Sequence, residues 1–193
     1  MKIINTLCYT PLLLSMMVGV PAFVYAESAP AYKGAAAEVV DGKGNMHVPK
    51  EYRTVYQMLG TWAVASDPEP GNKEMHVVYA SPKTISAFRR TGHYPDGTVL
   101  VKEVYKSANN KMTTGLVGSP GNLVGWFVMV KDDLHRFPDN KLWGDGWGWA
   151  WFDAKDPKNT TSTNYVTDCQ ACHVPAKNSD WVYSSGYPVL KNK

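Results

Sequence analysis

Apolar and polar positions run through the chain in two rhythms. Tyr52, Val55, Tyr56 and Leu59 recur at helical spacing, which predicts a first helix after Val48-Pro49, ended by Gly60. The rhythm then shortens to two. Thr61 to Ser66 and Glu74 to Tyr79 read as strands, with Asp67-Pro68-Glu69-Pro70-Gly71-Asn72 supplying the turn between them. Ser81-Pro82 suits the start of a short helix, with Ile85 and Phe88 facing the core. Arg89, Arg90 and Gly92 suit its carboxyl end, where cations oppose the dipole and glycine relieves the backbone.

Tyr94-Pro95-Asp96-Gly97 makes a turn from which a β-rich strand leaves. Alternation puts Thr98, Leu100, Lys102 and Val104 on one face and Val99, Val101, Glu103 and Tyr105 on the other, so each face is apolar apart from one charge. An isolated charge of this kind commonly snorkels from a sheet edge, so a functional reading of Lys102 or Glu103 needs support from elsewhere. After a polar, Gly-rich connection, Gly125 to Asp132 reads as another buried strand. From Asp139 to Phe152, Trp143, Trp147, Trp149 and Trp151 interleave with Gly144, Gly146 and Gly148. That pattern sets large rings on one side of an extended chain and permits close approach from the other, which serves a core or the wall of a pocket equally well. Asp153 to Asp168 is polar and expected to be flexible, and Trp181, Val182 and Tyr183 form a last apolar cluster.

Before the first helix the pattern is different. Lys2 gives a positive start, an apolar run extends from Pro11 to Val24, and Val24-Tyr25-Ala26 offers a cleavage point before Glu27. Residues 1–26 are therefore expected to be a signal peptide, directing the chain to the periplasm. The alternative, an uncleaved membrane anchor, is disfavoured because the run is short and interrupted by Pro11, Ser15 and Pro21. Residues 27–46 are Ala- and Gly-rich with little periodicity and are expected to form a flexible arm. Residues 47–193 then form one domain, since 167 residues after cleavage suffice for a single sizeable core.

Composition adds one exclusion. With Lys2 removed, 19 basic residues face 17 acidic ones without a basic cluster, which argues against nucleic acid as a partner.

Cleavage would also remove Cys8 and leave Cys169 and Cys172 as the remaining cysteines. They stand in Cys169-Gln170-Ala171-Cys172-His173. In an oxidising compartment a lone pair at this spacing could form a disulfide or a thioredoxin-like redox pair. Such a pair belongs early in a strand-helix alternation, however, whereas this one follows a Thr/Asn-rich loop near the end, and a disulfide has no need of His173. The pattern reads instead as covalent attachment of one haem c, with Cys169 and Cys172 bonding the vinyl groups and His173 as the iron ligand.

The ordered set of Tyr-Pro-Asp-Gly-Thr-Val-Leu-Val-Lys-Glu, Trp-Gly-Trp-Ala-Trp-Phe, the late Cys-Gln-Ala-Cys-His and the terminal Asp180-Trp181-Val182-Tyr183 resembles the cytochrome P-460 family over nearly all of the mature chain. The resemblance implies an α+β fold, predominantly antiparallel β-sheet with flanking helices in a single domain, and a homodimer. It implies one of two activities. Members with a lysine joined to the porphyrin rim oxidise hydroxylamine, with nitric oxide chemistry leading to nitrous oxide and electrons passing to a periplasmic acceptor such as a cytochrome c. Their relatives, the cytochromes c-prime-beta, lack that bond and bind nitric oxide.

The lysine of the motif falls on Lys102, the cross-link candidate that would convert haem c to haem P-460; Lys83 and Lys106 are weaker ones. Among Leu100 and Val104, an amine consumed by a bond avoids the cost of an unpaired buried ammonium. The distal carboxylate of active members aligns with Ala150, which cannot relay a proton and implies poor turnover unless Asp133, Asp145 or Asp153 substitutes. A plain electron carrier would need a sixth ligand, for which Met112, Met129, His47, His76, His93 and His135 are candidates.

Overall fold

The computed structural model describes residues 29–191, so the segment read as a signal peptide lies outside the described residues. Six strands form one antiparallel sheet in the order β1-β2-β3-β4-β6-β5: β1 Gln57–Ala65, β2 Asn72–Ala80, β3 Val99–Met112, β4 Gly115–Lys131, β5 Trp143–Gly144 and β6 Trp147–Asp153. Short helices flank it: α1 Ala35–Val39, α2 Tyr52–Val55, α3 Thr84–Thr91 and, after a π-helical turn at Val166–Gln170, α4 Ala171–His173. The fold is α+β, and no helix among the described residues is long and apolar enough to cross a membrane.

Strand alternation divides the apolar residues into two clusters, one on each face. Val99, Val101, Trp126, Val128, Val130, Ala150 and Phe152 pack on one side with Tyr52, Tyr56 and the amino-terminal segment. Leu100, Met129, Trp147 and Trp149 pack on the other with α3 and the carboxyl-terminal segment that carries Cys169, Trp181 and Val182. The alternation expected for β3 is therefore the one that organises the protein.

Several expectations need correction. The segment 27–46 is not a free arm over its described part: Ala36 and Val39 of α1 are fully buried, Val40 bridges Met46, and the Tyr32 hydroxyl donates to Lys131 O at 3.0 Å. Its small residues, read as a lack of structure, are what let α1 lie close against the sheet. The first helix is one turn, because the chain enters β1 at Gln57. Tyr52 and Tyr56 pack on one face of the sheet and Leu59 on the other, so the four residues do not share the single stripe their spacing suggested. The Gly-rich connection after Tyr105 is instead the outer half of a long β3–β4 hairpin. Its glycines mark close approaches rather than breaks: a Cβ on Gly121 would lie 2.9 Å from Lys106 O.

The tryptophan segment divides as the sheet does. Trp147 and Trp149 join one cluster, whereas Trp143 crosses to the other and lies flat over Gly148, where a Cβ would meet its ring at 2.8 Å. The stretch 153–168 is ordered by local hydrogen bonds, with Asp156 and Asp168 each accepting from the backbone of nearby residues. The α3 reading holds at its carboxyl end, where Gly92 takes a left-handed φ of 76° and its N–H caps Phe88 O, but the helix starts at Thr84, after Lys83 at a left-handed φ of 70°, and not at Ser81-Pro82.

Candidate functional site

The second face of the sheet and the carboxyl-terminal segment enclose a cavity of about 410 Å³. Each strand from β1 to β4 sends alternate residues to it: Trp62 and Val64, His76 and Val78, Leu100 and Lys102, Phe127 and Met129. Trp149 of β6 continues the wall, and Cys169, Cys172, His173, Val182 and Tyr183 close the opposite side. The register explains this convergence, since Lys102 pairs with Val78 on one side and Phe127 on the other, and Met129 pairs with Trp149.

The cysteine motif sits on the helical stretch 166–173. Asp168 fixes its start: the carboxylate accepts from Thr163 N at 2.8 Å, Asn164 N at 3.1 Å and the Thr167 hydroxyl at 2.7 Å, and these bonds, led by that from Thr163, hold its pKa down at about 2. It is consumed in structure and is no proton acceptor. Both cysteines are unpaired thiols; Cys169 is buried, which pushes its thiol up to about 11, and Cys172 is exposed. The Tyr183 hydroxyl donates to Cys172 O at 2.7 Å and pins the far end of the motif.

His173 lies between Trp149, whose ring meets it edge-on at 4.9 Å, and Tyr183 at 6.1 Å. Its Nδ1 is 2.7 Å from Trp181 O. A carbonyl only accepts, so Nδ1 carries the proton and Nε2 keeps its lone pair. Burial pushes the imidazole pKa down despite that hydrogen bond, which leaves the ring neutral and able to bind a metal ion.

Lys102 makes no hydrogen bond or ion pair with any described residue; its ammonium rests over the Phe127 ring, 4.3 Å from the centroid. Desolvation pushes its pKa down. A partly buried, unpaired amine at the rim of a cavity shared with two thiols and a histidine fits a prosthetic group that occupies the cavity and takes these residues as its attachments.

Other sequence candidates fall elsewhere. Ala150 borders the cavity, but its methyl belongs to the opposite cluster, since Trp149 and Trp151 point to the cavity face and Ala150 between them points away. A longer side chain at this position would enter the core behind the sheet. Asp133 pairs with Lys131 at 2.9 Å, Asp145 accepts from Gln170 at 2.7 Å and Asp153 from Trp151 Nε1 at 3.0 Å; none lines the cavity. Lys106 pairs with Glu74, and Lys83 precedes α3 away from the cavity. Of the candidate sixth ligands, Met129 and His76 line it, whereas Met112, His47, His93 and His135 do not.

His76 has a partner that sequence reading passed over. Its Nε2 lies 3.3 Å from Glu74 Oε2, and Glu74 is in turn held by Lys106. Burial, then the charge of Lys102, push the imidazole pKa down, which keeps His76 neutral near pH 7. The Glu-Met-His spacing within a strand, which places both side chains on one face, was the available signal.

The comparison with known families agrees with this geometry. The model of the cytochrome P460 family matches residues 49–184. This span is most of the chain and includes every cavity residue named above, so the chain belongs to the cytochrome P460 family and is a haem protein. Comparison with curated proteins gave no match.

Proposed function

We propose that the chain is an exported, periplasmic haem c protein that binds and oxidises hydroxylamine at a lysine-cross-linked haem. The observation that carries this reading is Lys102, an amine with no partner that faces the same cavity as Cys169, Cys172 and His173. Cys169 and Cys172 would hold the porphyrin as thioethers, His173 Nε2 would ligate the iron, and Lys102 would join the rim. When bound, haem would supply the capacity to withdraw electrons from a nitrogen ligand.

The chain's own residues supply the rest. Trp62, Val64, Val78, Leu100 and Phe127 limit water in the cavity. His76, neutral and oriented by Glu74, accepts the protons that hydroxylamine must lose. Sustained turnover would pass electrons to a periplasmic acceptor such as a cytochrome c, and the protein would act as a homodimer.

The mainly apolar lining also favours a second reading, a c-prime-beta-like protein that binds nitric oxide without a cross-link. The absorption spectrum of the purified, dithionite-reduced protein separates the two. A strongly red-shifted Soret band and green colour, lost in Lys102→Leu, support the first, and hydroxylamine oxidation with an artificial electron acceptor completes it. An ordinary high-spin haem c spectrum, identical in wild type and Lys102→Leu, supports the second. A low-spin spectrum indifferent to nitric oxide would mean an electron carrier, with Met129 or His76 as sixth ligand.

A further inference from the structure

Among the described residues, five non-glycine positions have a positive φ, and only two of these are adjacent: Asp180 at 58° and Trp181 at 62°. Side chains of the L series rarely adopt this conformation, and for a bulky ring such as tryptophan it is an outlier. The pair stands where His173 finds its partner, because the carbonyl that takes the Nδ1 proton at 2.7 Å is that of Trp181.

The conformation is held from outside the segment. Asp180 Oδ1 accepts from Lys131 Nζ at 3.1 Å and from Trp147 Nε1 at 3.3 Å, and the same indole nitrogen donates to Asp180 O at 3.0 Å. Lys131 is itself 7% exposed, lies over the Trp147 ring and is anchored a second time by Asp133 at 2.9 Å. A largely buried ion pair and a buried indole thus grip one residue of this turn. Beyond it, Trp181 N–H returns to Ala176 O at 2.9 Å, and the Trp181 ring packs edge-on to Trp149, which meets His173.

We infer that Asp180, clamped by Lys131 and Trp147, is a positioning residue that holds the Trp181 carbonyl against His173 Nδ1 and so sets the orientation and basicity of the iron ligand. This rests on the reading of His173 as that ligand. A carbonyl fixed at this distance gives the imidazole partial anionic character, which strengthens its bond to iron and favours the oxidised state. Loosening the clamp lets the carbonyl drift and removes that contribution, while the covalent attachments stay in place.

The test compares haem-loaded wild type with Asp180→Ala, Lys131→Met and Asp180→Asn, reading the iron–histidine stretch by resonance Raman and the midpoint potential. Asp180→Ala and Lys131→Met are expected to lower the stretching frequency and raise the potential. Asp180→Asn, which keeps an acceptor and tolerates the left-handed conformation, stays near wild type. If Asp180→Ala does not fold, Lys131→Met, which leaves the turn's own residues intact, decides. A loaded Lys131→Met or Asp180→Ala protein with wild-type stretch and potential overturns the inference. His173→Gly is run beside them: loss of the stretch identifies His173 as the ligand, and its persistence removes the reading and the inference with it.

Discussion

Lys102 and Glu103 are neighbours on β3 and carry opposite charges to opposite faces of one sheet. Glu103 is 2% exposed, yet fully provided for: Tyr52 donates to it in a very short hydrogen bond, Arg53 Nε lies 2.6 Å away, and Trp126 Nε1 donates to the Tyr52 hydroxyl at 2.8 Å. Lys102, one residue earlier, has an aromatic face and nothing else. A buried charge with every partner present is part of the architecture, and one without partners marks where the fold leaves room for something else. Glu103 is built into the core of its face, whereas Lys102 borders the cavity on the other.

The contrast can be broken deliberately. Lys102→Leu has the largest expected effect: complete loss of the red-shifted Soret band and of hydroxylamine turnover, with haem still retained through the cysteines. Its unfolding midpoint stays at or above that of Glu103 variants, because no satisfied interaction is removed; haem content, spectrum and denaturant melts check this. Ala150→Glu comes next. It drives a carboxylate into the core behind the sheet, where Ala150 is 1% exposed, and should cost about 3–5 kcal/mol of stability by denaturant unfolding without raising turnover.

His76→Phe sharpens the assignment of the cavity face. It should lower kcat for hydroxylamine by about 100-fold with little change in stability. In the wild type, the rate should fall as pH drops through the pKa of His76, which burial pushes down and Glu74 partly restores, because the neutral ring is the proton acceptor. A pH–rate profile of both proteins checks this, and the acid limb should vanish in the variant. The smallest effect belongs to Glu103→Gln. It keeps an acceptor for Tyr52 and loses an ion pair whose Arg53 side chain is 54% exposed, so about 1 kcal/mol is expected, with an unchanged spectrum.

Much of this contrast could be read from the sequence, because period-two alternation fixes faces without any knowledge of the fold. It placed Lys102 and Glu103 apart, and the Cys169–His173 motif needed only local spacing. The same alternation, with Trp147, Trp149 and Trp151 on one side, already implied that Ala150 points away. What could not be read was long-range. The Asp180–Lys131 clamp joins residues 49 positions apart, and the hold of Tyr32 on Lys131 O spans 99. Helical spacing at Tyr52 to Leu59 misled because residues on opposite faces of a sheet can also fall three and four apart when one turn of helix runs into a strand.

The central claim, that Lys102 lies unpaired because it is joined to the haem, is tested most directly by mass spectrometry of a tryptic digest of the protein. The account predicts one species in which haem links the peptide containing Cys169 and Cys172 to the peptide containing Lys102, with no cleavage after Lys102. Haem found on the cysteine peptide alone, with cleavage after an unmodified Lys102, would contradict it.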